Sequence, residues 1–193
     1  YLAVSILCED PTCAQYFLTP ETCKQLLQLP RSVPDDPALP ARVAWFVERL
    51  CANDGAASIL SEHGACELLI GALGNFIEHP NTVQMLCDAI SELAAQSEAS
   101  RLVAAGAWEL VVAVLQQHGE VVDIVAPVLR AAAAMGMEVP SSVDDPVTTG
   151  VSPLVVSAIR KHGLGPTGNK RVAGHGARLV KVLMEHGDGE EPL

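Results

Sequence analysis

Gly163, Gly165 and Gly168 in the stretch GLGPTGNK (163–170) stand at the G-x-G-x-x-G spacing of a loop that closes backbone amides on a pyrophosphate. That chemistry needs a β-strand before the loop and a helix opening at the third glycine. Here a helical pattern precedes the loop, Pro166 interrupts it, and no strand–helix–strand pattern surrounds it. The phosphate loop G-x-x-x-x-G-K-[ST] does not fit either, because Asn169 separates Gly168 from Lys170 and Arg171 follows. The stretch reads as a flexible turn between two helices, and no nucleotide or other cofactor is expected.

Other groups capable of chemistry are scattered. The six histidines (His63, His79, His118, His162, His175, His186) mostly fall near predicted turns or helix ends, where an imidazole suits the negative end of the helix dipole. The pairs Asp35–Asp36 and Asp144–Asp145 each precede a proline and read as turn and capping residues rather than metal carboxylates. Six cysteines (Cys8, Cys13, Cys23, Cys51, Cys66, Cys87) have C-x₄-C and C-x₉-C as their tightest spacings, with no histidine before His63. A zinc site wants tighter pairs, so these read as buried free thiols, with no metal expected. Free thiols imply a reducing, intracellular setting, cytoplasmic or nuclear. No catalytic set stands out, and the chain is expected not to be an enzyme.

Bulk properties define the elements that must carry any site. The chain has 193 residues, 49% of them apolar but only 4% aromatic. Ala and Leu supply much of the rest, and they favour helix where aromatic and β-branched residues favour strand. A net charge of −11 disfavours nucleic acid as a partner. The charge is unevenly spread: residues 1–159 carry 6 basic and 19 acidic side chains, whereas 160–186 carry six basic residues against Glu185 alone. One end should therefore present a positive field on an acidic body. No apolar run approaches the length of a membrane span.

A repeat organises the chain. SILSEHGACELLIGAL (58–73) and RLVAAGAWELVVAVL (101–115) share an aliphatic pair, Gly-Ala, and then Glu-Leu-aliphatic, with Gly64 and Gly106 42 residues apart. TTGVSPLVVSAI (148–159) places Gly150 as a third bend. YFLTPETCKQLLQL (16–29) supplies a copy with Thr22 in the glycine's place. Helical apolar stripes follow each bend, as in Leu110, Val111, Val114 and Leu115. A second stripe comes after a polar turn: Val43, Phe46, Val47 and Leu50, or Val83, Leu86, Cys87, Ile90, Leu93 and Ala94. Each unit is thus a short helix, a sharp bend, a medium helix, a turn and a longer helix. Glycine suits the bend because it alone takes positive φ without strain.

Period, three helices and the Gly-Ala bend resemble the armadillo repeat. The nearest alternative is the HEAT repeat, which has two helices and usually no such glycine. The resemblance implies an all-α right-handed superhelix of about four units (12–52, 54–96, 98–136 and 144–187) forming one domain over 1–193. Two stretches interrupt the rhythm: PRSVPDDPALP (30–40), with four prolines, and MEVPSSVDDPVTTG (137–150). Both read as non-helical surface insertions, the second alternatively as a domain boundary. YLAVSIL (1–7) has the apolar character of a buried third helix and HGDGEEPL (186–193) fades into a polar tail, so a fragment of a longer array is expected.

In armadillo proteins that hold extended peptides, third helices line a groove with a recurring Trp and, four residues later, Asn. On this chain Trp45 and Arg49 take those places in the first unit, Asp88 and Glu92 in the second, and Pro127 and Ala131 in the third. Only Trp45 matches, so the resemblance does not extend to that peptide ladder. Spacing still makes Trp45/Arg49 and Asp88/Glu92 i, i+4 pairs away from the apolar stripe. Two readings of Trp45 stand: an exposed anchor, or a ring packed on a neighbouring helix or an upstream unit. Trp108, just after a bend, reads as structural. The expected function is a non-enzymatic protein-interaction scaffold, with a protein or peptide segment as partner, bound through Trp45, Arg49, Asp88 and Glu92. The competing site is the basic patch of Lys170, Arg171, Arg178 and Lys181. A regulatory or autoinhibitory module of a larger protein is the alternative, and a helical enzyme with an unrecognised site comes after it.

Overall fold

The computed structural model describes residue 8 and residues 11–136, 146–164 and 168–187. Every regular element among them is helical. In order these are α1 (Pro11–Phe17), α2 (Pro20–Ser32), α3 (Ala38–Leu50), α4 (Ala56–Glu62), α5 (Ala65–Asn75) and α6 (Pro80–Leu93). They continue with α7 (Ala99–Ala104), α8 (Ala107–His118), α9 (Val122–Met135), α10 (Pro146–Ala158) and α11 (Lys170–Gly187). A helix of about two turns followed by two longer ones recurs three times, and α10 and α11 follow as a further pair.

The bends form where the spacing predicts. Gly64 separates α4 from α5 and Gly106 separates α7 from α8, each at φ 90°. A third left-handed glycine, Gly55 at φ 77°, opens α4 and was not anticipated. Two predicted bends are absent. Thr22 lies inside α2, because Thr19 caps that helix through Thr22 N–H and Pro20 pre-sets its first turn. Gly150 lies inside α10, which starts four residues earlier at Pro146. The buried register nevertheless holds across all four segments: Leu27, Leu69, Val111 and Val155 are each buried at equivalent places.

The proline-rich insertion is shorter than expected. Pro30 sits in the last turn of α2 and Pro40 in the first turn of α3, so only 33–37 is non-helical. A first-turn proline removes an N–H that has no partner in a helix anyway. Of the second insertion, 146–150 is helical and 137–145 lies outside the described residues, as do 1–7 and 188–193. Two π-helical turns, Ala94–Glu98 and Ile159–Gly163, extend α6 and α10; the first runs directly into α7.

One hydrophobic cluster links the units. The last helix of each unit packs on its counterpart in the next: α3 on α6, α6 on α9, and α9 on α11. Polar ties reinforce the same boundaries. Nε2–H of His118 donates to the carbonyl of Ile77 (2.5 Å), and that of His162 to the carbonyl of Gly119 (2.8 Å). Arg101 Nη1 donates to Ser61 O (3.2 Å), and Gln96 to the carbonyl of Cys51. Each acceptor lies at or just past a helix C-terminus of the preceding unit, where carbonyls lack intrahelical partners.

Candidate functional site

Because α3, α6, α9 and α11 pack side by side, equivalent positions on them form one strip. Trp45 of α3, Asp88 of α6 and Arg130 of α9 follow one another at the repeat period, and all three are half-buried. Trp45 resolves between its two readings as a partly exposed ring, with the Arg49 guanidinium 5.9 Å from its centroid.

Sequence reasoning missed Arg130. Its Nη1 lies 2.8 Å from Glu92 Oε1, and its Nη2 lies 3.1 Å from Asp88 Oδ1 and 3.4 Å from the Asp88 carbonyl. One planar fork thus spans an i, i+4 carboxylate pair on the neighbouring helix. Asp88 and Glu92, expected as free surface charges, are engaged. Pro127 and Ala131, expected to line the strip, are buried instead. The misplacement is one of register: stepping the repeat period from Asp88 reaches Arg130, not Pro127. A count anchored on buried Ile90 and Leu93 would have found it.

Glu48 is the second missed residue. Its carboxyl is held above the ordinary range by burial first, then by Asp88 and, less strongly, Glu92, against the opposing pull of Arg49 and Arg130. Asp88 is likewise raised by burial, which outweighs Arg130; Glu92 raises it further and Arg171 lowers it. Burial therefore outweighs the nearby guanidiniums at both Glu48 and Asp88, and the desolvation of these two carboxyls is not fully offset.

The predicted basic patch lies on α11, and all four residues (Lys170, Arg171, Arg178, Lys181) are exposed. Helical spacing puts Arg171, His175 and Arg178 on one flank and the two lysines about a quarter-turn away. His175 is half-buried, and its imidazole is held below its ordinary value by burial, then by Arg130, Arg178 and Arg171. So the acidic and basic sites meet: Arg171 acts on Asp88, and Arg130 acts on His175. The strip runs from an aromatic, through carboxylates, to a cluster of guanidiniums.

Other sequence candidates have structural places. Asn169 caps α11 by accepting from the N–H groups of Arg171 (2.9 Å) and Val172 (3.3 Å), which gives the end of the glycine-rich stretch its role; residues 165–167 lie outside the described residues. Asp36 accepts from Ala38 N–H (2.9 Å) at the start of α3, while Asp144 and Asp145 lie outside the described residues. Trp108 is buried, and its Nε1–H finds no hydrogen-bond partner among the described residues. All six thiols are free. Burial pushes Cys8 up to about 11 and Cys51 up to about 12, which keeps both protonated and poor as nucleophiles. Among the described residues no group of His, Cys, Asp or Glu is placed to hold a metal, and no helix is long and apolar enough to cross a membrane.

Neither a protein-family model nor a curated protein matches the chain. Among solved structures, an engineered protein from the Northeast Structural Genomics Consortium is similar with a TM-score of 0.63 at 13% identity, covering 95% of this chain and 90% of that one. A second engineered protein from the same consortium gives a TM-score of 0.54 at 14% identity over 96% and 89% of the two chains. At these identities the likeness concerns fold alone.

Proposed function

We propose that the chain is an armadillo-type right-handed superhelix forming one domain, and that it works without catalysis as a scaffold that binds a protein segment. The recurring helix triplets, the left-handed glycine bends and the consecutive packing of α3, α6, α9 and α11 support the superhelix. The observation that carries the binding role is the crowding of Glu48, Asp88 and Glu92 beside a partly exposed Trp45. The carboxyls of Glu48 and Asp88, held above their ordinary range, are an energetic cost to the free protein, relieved when a cation arrives. A segment presenting a lysine or arginine next to an apolar residue would seat its cation among the carboxylates and its apolar group on Trp45.

Selection of random peptides displayed on phage against the immobilised chain tests this reading. Selected peptides should carry a basic residue near an apolar one. Trp45→Ala should weaken them by about 2 kcal/mol, as loss of an aromatic hot spot does. Glu48→Gln with Glu92→Gln should weaken them in a salt-sensitive way. Peptides that bind both variants as tightly as the wild type would overturn the reading.

A further inference from the structure

The basic end of the strip has chemistry of its own. Arg171 and Arg178 are exposed, lie two turns apart on α11, and make no ion pair among the described residues. His175 stands between them on the same flank, and Arg130 of α9 approaches from the acidic side. Arg130 is already neutralised by Asp88 and Glu92. Among the described residues the uncommitted donors are therefore two guanidinium forks and an imidazole, a set suited to an oxyanion. A single carboxylate would satisfy one fork. A phosphate, with three acceptor oxygens and close to two negative charges, can satisfy both forks and the imidazole together.

We infer that Arg171, His175 and Arg178 form a receptor for a phosphorylated side chain carried by the same segment that docks on Trp45. This rests on the proposed scaffold role. The occupant follows from charge complementarity and from continuity of the strip: acidic and basic groups sit on adjacent helices of one face. An acidic chain of net charge −11 repels polynucleotides and anionic membranes, which argues for a protein-borne phosphate. From α3 to α11 there are three helix spacings of about 8–10 Å. An extended chain at about 3.3 Å per residue crosses them in roughly eight residues, which sets the distance between the apolar anchor and the phosphorylated residue.

The test uses fluorescein-labelled peptides of about twelve residues, with Phe-Lys held at one end and phosphoserine, glutamate or serine stepped along the remainder, in both chain directions. Binding is read by fluorescence anisotropy against the wild type, Arg171→Gln with Arg178→Gln, and Trp45→Ala. Phosphoserine at roughly eight residues from the anchor should bind about tenfold tighter than glutamate. The double glutamine variant should abolish that preference, and Trp45→Ala should weaken every peptide yet retain it. Peptides that need Trp45 but show no phosphoserine preference would overturn the receptor and leave the scaffold reading standing. Peptides indifferent to Trp45, or no binding by any peptide, would overturn both. Single-stranded RNA or anionic vesicles that outcompete the phosphopeptide through Arg171 and Arg178 would also overturn the receptor.

Discussion

His118 Nε2 lies 2.5 Å from the carbonyl oxygen of Ile77, 41 residues earlier, and His118 is itself buried. The bond closes a backbone acceptor that the end of α5 leaves open. His118→Leu keeps the volume close but removes the donor, leaving the carbonyl of half-buried Ile77 without that partner. The expected cost is about 1–3 kcal/mol. Urea unfolding of the full chain checks it, and a variant as stable as the wild type would show that the carbonyl finds water or another donor.

Gly106 separates two kinds of strain. A Cβ added there would meet only Glu109 Oε2, at 3.5 Å, so space is not the obstacle. The obstacle is φ 90°, which β-branched side chains avoid. Gly106→Val should destabilise by about 1–3 kcal/mol, and Gly106→Asn by clearly less, because asparagine tolerates left-handed backbone. Equal losses in both variants would place the fault in packing, against the bend. Thermal melts of the two proteins decide it.

Glu48 predicts a pH dependence with a definite sign. Its folded pKa is raised above the ordinary 4.5, so the folded state holds a proton that the unfolded state releases. Its contribution to stability is present below 4.5 and is lost as pH rises through the folded value. Glu48→Gln should therefore raise the melting temperature at neutral pH and lose that advantage at pH 4. A gain that is the same at both pH values would mean a packing effect in place of a charge effect.

Much of the fold was legible in the sequence because it is local and periodic. Val43, Phe46, Val47 and Leu50 announce a helix face by their spacing, and each is buried as that face requires. The Gly-Ala bends are legible because positive φ leaves a compositional mark. Where a unit lacked the full Gly-Ala pair, as at Thr22 and Gly150, the period alone misplaced the bend: α2 opens at Pro20, ahead of Thr22, and α10 runs through Gly150. The strip was legible only in part, for a different reason. Trp45, Arg49, Asp88 and Glu92 came from the armadillo resemblance, and i, i+4 spacing within single helices then put each pair on one face. Arg130 and Glu48 act between helices, and their partners depend on how α6 sits against α9 and α3. A register slip of three residues in α9 was enough to put Pro127 where Arg130 belongs.

Among the described residues, His118 and His162 each reach back to a carbonyl of the preceding unit. Those carbonyls, of Ile77 and Gly119, are thus closed by side chains synthesised 41 and 43 residues later. On a ribosome adding about 5–20 residues per second, each unit emerges with open acceptors and waits a few seconds for the next to arrive. The newest unit is always the unfinished one. Translation speed thus becomes a folding variable for this architecture, and a pause inside a unit leaves its predecessor's helix ends open to a wrong neighbour.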